Sequence, residues 1–142
     1  MQMHIIETDR AETRSISIAA PPAAVLALVG DPRRLPEWAP AFARGVEPDG
    51  DDWLIDTGEG HARITVRVSP QHGIVDLLSA TDPTRGAFSR VVHNRDGSEF
   101  LFTLVFPDGT AETAIARQMA TVEDELEAVR ALCETAEAGR TA

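Results

Sequence analysis

The 142-residue chain has no lysine and no tyrosine, a single cysteine, and no apolar run near the roughly 18 residues that a membrane-spanning helix needs. Each absence removes a class of chemistry. Without lysine there is no Schiff base, no P-loop lysine and no lysine general base, and all 13 basic residues are arginine. Cys133 alone excludes an intrachain disulfide and every multi-cysteine zinc or iron–sulfur pattern. Basic charge is scarce as well: a formal charge of −10 argues against a nucleic-acid backbone or an anionic membrane as partner, since both would repel the average surface. Met1 to Arg10 carries Glu7 and Asp9 and lacks a basic segment followed by an apolar one, so no secretory signal is read and the cytoplasm is the expected compartment.

What is present is globular composition, 43% hydrophobic and 25% charged, in a length that suits one domain. No repeat or low-complexity tract divides it, so residues 1–142 are read as one domain with 1–13 as an N-terminal arm. From Arg14 to Ala19, Ile16 and Ile18 alternate with Ser15 and Ser17, which predicts a half-buried strand. Pro21 and Pro22 stop it and open a helix over Ala23 to Val29 that Gly30 ends. Asp31 then caps a second short helix, with Pro32 at its first position, running to about Trp38.

From Phe42 to Phe106 the period is two. Turn signals at Asp49-Gly50, Gly58 to Gly60, Pro70 to Gly73, Thr81 to Gly86 and Asp96-Gly97 delimit six strands in an antiparallel meander. After Gly109, Ile115, Met119, Val122, Leu126, Val129 and Cys133 recur at spacings of four and three, with Glu123, Asp124, Glu125, Glu127 and Arg130 on the polar side. That predicts one long amphipathic helix of close to 40 Å, capped by Thr110 and stopped near Gly139. The fold class is α+β: a curved antiparallel sheet of about seven strands wrapped around a long C-terminal helix, with two short helices after the first strand. A gap between sheet and helix is expected.

The segments Ile16 to Val25, Asp31 to Trp38 and Asp96 to Leu104 are the ones by which the chain resembles the helix-grip superfamily: START domains, the Bet v 1 fold and the bacterial polyketide cyclase/dehydrase and lipid-transport group. The resemblance runs over about Arg14 to Glu134 and implies a cavity for a small hydrophobic ligand. It does not select among hydrophobic-ligand carriers, polyketide aromatase/cyclases, hormone receptors, chaperone cofactors and oxygenase catalytic domains, of which the last is disfavoured because no 2-His-1-carboxylate set or iron–sulfur ligands are present. Binding or carriage of a small hydrophobic or aromatic molecule, with no cofactor and no metal, is the expected function. A polyketide cyclase or aromatase is the alternative, and an interaction module with a filled interior is a third.

The candidate ligand-binding residues are Trp38, Phe42, Trp53, Ile55, His93, Phe102, Leu104 and Met119. The aromatic and aliphatic members suit an apolar ligand near element ends. His93 enters by turn arithmetic. A two-residue Asp96-Gly97 turn pairs it with Phe100 and puts it on the apolar face, whereas a three-residue loop with a bulge would turn Arg90 inward instead. Asp49, Asp51 and Asp52 lack the downstream glutamate of a calcium loop and read as a hairpin turn. The strand Phe100 to Phe106 is apolar on both faces, and a homodimer covering Leu101 and Val105 is expected from it.

Overall fold

The computed structural model describes residues 5–141, without the side chain of residue 141. Seven strands form one antiparallel sheet in the order β1-β7-β6-β5-β4-β3-β2. They are β1 (Arg10–Ile18), β2 (Gly45–Asp49), β3 (Asp52–Asp56), β4 (His61–Ser69), β5 (Ile74–Ser79), β6 (Gly86–Asn94) and β7 (Gly97–Phe106). Between the two edge strands the chain makes α1 (Pro22–Val29), a 3-10 turn (Pro32–Arg34) and α2 (Leu35–Trp38), and α3 (Glu112–Thr141) follows the sheet. The helix-grip architecture that the resemblance implies is therefore the one observed.

Local chemistry accounts for the boundaries. The Asp31 side chain accepts a hydrogen bond from the Arg33 backbone N–H at 3.0 Å, so it caps the 3-10 turn. The expected arm is shorter than 1–13, because Arg10 to Thr13 extend β1 by pairing with Phe106 to Thr103. Their polar side chains concealed a strand whose partner is apolar. Thr110 does not cap α3: its hydroxyl donates to the Pro107 carbonyl at 2.6 Å, and the helix begins two residues later. Nor does Gly139 stop it, since a helix that is already fixed by packing tolerates one glycine near its end.

All six residues of the predicted α3 stripe are at most 4% exposed. They belong to the same buried core cluster as Ile18, Val25, Leu28, Val91 and Phe100. Side chains of α3 also hold the free edge of β1: Arg10 pairs with Glu112 at 2.6 Å, Arg14 with Glu123 at 3.2 Å, and the Ala19 N–H donates to Glu134 at 2.8 Å. These groups are largely solvated, so each contributes modestly, but together they cover an edge that would otherwise offer unpaired backbone groups. No helix among the described residues is long and apolar enough to cross a membrane.

Candidate functional site

A cavity of about 540 Å³ lies between the inner face of the sheet and the N-terminal half of α3. Its origin is legible in residue size. Ala62 on β4 and Gly86 and Ala87 on β6 line it where bulkier side chains would fill the space, and Ala39 after α2 leaves a similar gap. Larger apolar groups close the remaining walls: Leu35 and Trp38 from the short helices, Ile64 and Leu77 from the sheet centre, and Phe102 and Leu104 from β7. Exposed Phe42, Arg63, Thr81 and Gln118 line it where it meets solvent.

Gly86 is required where it stands. Its φ is +147°, and an added Cβ would sit 2.1 Å from the Leu77 carbonyl oxygen. Trp38 is 2% exposed and meets Phe100 edge to face at 6.4 Å between centroids, while Phe100 meets Phe102 at 6.3 Å. These contacts fix the indole, yet its buried Nε1–H has no hydrogen-bond partner among the described residues.

Glu125 on α3 brings a carboxyl to the cavity wall. It is only 8% exposed, accepts no hydrogen bond among the described residues, and burial, with a smaller contribution from neighbouring Asp124, pushes its carboxyl up to about 7. The sequence pattern had placed Glu125 with the solvated face. The signal that was missed is its seven-residue spacing from Gln118, which sets both on the flank of the apolar stripe facing the cavity.

Of the eight candidates, Trp38, Phe42, Phe102 and Leu104 line the cavity. Ile55 and Met119 lie instead in the close-packed core, 0% and 1% exposed. Trp53 packs against that core with the Arg33 guanidinium 4.7 Å above its ring and does not line the cavity. His93 is corrected in position rather than in face. The turn residues are Arg95 and Asp96, with Arg95 at φ +53°, so His93 pairs with Ser98 and Val91 with Phe100. The register moves by two residues, which preserves the inward face but carries His93 to the exposed end of β6, in a groove beside α1. Arg90 points to the opposite face and donates to the His72 carbonyl at 2.9 Å.

Cys133 is buried, and desolvation pushes its thiol up to about 11, consistent with a small core residue rather than a nucleophile. Asp49 and Asp52 each lie within salt-bridge distance of Arg63, at 3.4 and 3.1 Å. Among the described residues no three His, Cys, Asp or Glu side chains gather to hold a metal ion.

A strand-first helix-grip fold enclosing an apolar cavity between sheet and terminal helix defines the class of protein. More specifically, residues 11–134 match the family described as polyketide cyclase / dehydrase and lipid transport, and the chain belongs to it. No curated protein matches the sequence. Among solved structures, an Aha1 dimer from Colwellia psychrerythraea is similar with a TM-score of 0.71 at 13% identity, over 88% of this chain and 96% of that one. An uncharacterized protein from Bacillus thuringiensis gives 0.70 at 16% identity, over 87% and 98%. A START superfamily protein from Mycobacterium smegmatis gives 0.64 at 15% identity, over 88% and 97%. Identities this low establish shared architecture and nothing finer.

Proposed function

We propose that the protein binds a small hydrophobic or aromatic molecule in the cavity between sheet and α3, as a cytoplasmic carrier or sensor without a cofactor. The observation that carries this reading is the cavity itself: about 540 Å³, walled largely by apolar side chains, and large enough for a ligand of drug-like size. An unfilled interior of this size also speaks against the interaction-module alternative. Trp38, Phe42, Phe102 and Leu104 are the proposed apolar contacts. Native mass spectrometry of the protein purified from its own host should reveal a co-purified small molecule that denaturation releases. Recovery of ligand-free protein that also leaves indole fluorescence unchanged with every apolar probe would overturn the reading.

The cyclase alternative is supported by one observation, the buried Glu125 acid in a mostly apolar cavity, poised near neutrality for proton exchange with a bound chain. Turnover of a poly-β-ketone chain that Glu125→Gln abolishes while ligand affinity persists would favour it. We also infer that two copies associate through the outer face of β7. Val105 is 40% exposed there beside half-buried Leu101, and the similar Aha1 structure is described as a dimer. Sedimentation should show a dimer at tens of micromolar that Leu101→Glu weakens, and a monomer at that concentration would remove this part.

A further inference from the structure

Glu125 lines the cavity at only 8% exposure and has no hydrogen-bond partner among the described residues, in a wall that is otherwise mostly apolar. A carboxyl withdrawn from bulk water without a partner is costly, so it marks the place where a ligand's polar end would restore what folding has removed.

We propose that Glu125 forms the polar end of the ligand site, donating as a carboxylic acid to an uncharged oxygen acceptor of an otherwise apolar ligand, so that binding takes up a proton. This rests on the cavity being a ligand site. The charged surroundings select that ligand class over the others. Arg63, from β4, is the only other titratable side chain on the described cavity wall, and Asp124 is the neighbour on α3 that acts on Glu125. A cationic amine would have to form an ion pair with Glu125 inside a mostly apolar wall, where both charges lose water, and Arg63 is already paired with Asp49 and Asp52. A carboxylate ligand would meet the Glu125 charge whenever that group is ionised. A ketone, ester or ether oxygen accepts from the Glu125 acid without adding charge and fixes the proton there, on a carboxyl that burial already pushes up to about 7.

Three probes of one size separate these cases: naphthalene, 2-acetylnaphthalene and 2-(aminomethyl)naphthalene, each titrated against the full chain by calorimetry and indole fluorescence from pH 6 to 8.5. The ketone should bind more tightly than naphthalene at pH 6, and its Kd should rise by roughly thirtyfold at pH 8.5, given an acid that titrates at about 7. Calorimetry in two buffers of different ionisation enthalpy should show proton uptake with the ketone only. Glu125→Gln, whose amide still donates, should keep ketone binding and flatten its pH profile, and Glu125→Leu should lower ketone affinity more than naphthalene affinity. Equal binding of ketone and naphthalene, a flat wild-type profile, or preference for the amine would each overturn this inference while leaving the cavity a ligand site. Failure of all three probes to bind would overturn the ligand-site reading, and this one with it.

Discussion

The inner face of the sheet is occupied in two different ways along its length. Under α1 and the C-terminal half of α3 it is packed solid, with Ile18, Val25, Leu28, Val91, Phe100, Val129 and Cys133 all at most 4% exposed. Under the N-terminal half of α3 the same sheet, with the same alternation, encloses empty space because alanine and glycine stand at Ala62, Gly86 and Ala87. Periodicity is common to both regions and only side-chain volume differs. One end supplies stability, and the other gives some of it up to keep a cavity and an unpartnered carboxyl.

Truncation is the most direct way to break that comparison. Phe100→Ala should cost about 3 to 5 kcal/mol, since Phe100 is fully buried and packs edge to face against both Trp38 and Phe102. Leu104→Ala should cost less, because part of its surface already faces the cavity and loses few contacts. Denaturant midpoints decide the matter, and equal losses would mean that the two regions are packed alike. Glu125→Gln sharpens the contrast in the other direction. An acid titrating at about 7 when folded, against an ordinary value of 4.5, takes up a proton on folding. Its contribution is fully present below pH 4.5 and is lost as pH rises towards and through 7. The glutamine variant should therefore match the parent near pH 4 and exceed it by on the order of 3 kcal/mol at pH 8. A constant difference across that range would show that Glu125 is not desolvated. Gly86→Ala should cost about 1 to 3 kcal/mol, because the new methyl would run into the Leu77 carbonyl and φ is unfavourable for any other residue. Thermal unfolding with little change would mean that the β5–β6 connection gives way at no cost.

The strand count, the two short helices and the whole α3 stripe were legible because each rests on a repeat of several residues, and a repeat survives errors of one or two positions. Arg10 to Thr13 were not, since a polar strand beside apolar β7 carries no alternation of its own. The cavity was anticipated in kind, but which aromatics line it depends on depth along each strand. Alternation gives a face and never a depth, so Trp53, Ile55 and Met119 shared the right face and still lie away from the space. Glu125 was hidden by company: four other charged residues between Glu123 and Arg130 do belong to solvent, and only the turn-by-turn angle of the helix separates it from them.

His93 tests the same distinction between face and depth with the smallest expected effect. Parity put it on the inner face, and the observed pairing with Ser98 keeps it there. The extra shift of two residues moves it about 7 Å along the strand, which is enough to carry it past the packed region to solvent. In the groove beside α1 it neighbours Pro21, Pro22 and Leu26, and none of these lines the cavity. An exposed imbidazole-to-amide exchange at that position removes no buried contact, so His93→Gln should leave stability within about 0.5 kcal/mol. It should also leave the Kd of 2-acetylnaphthalene unchanged within twofold, and preserve its pH profile, whereas Glu125→Gln flattens it. A loss of the pH profile in the His93 variant would move the proton-linked group from α3 to β6, and would mean that the groove beside α1, not the cavity under α3, is where the ligand's polar end lies.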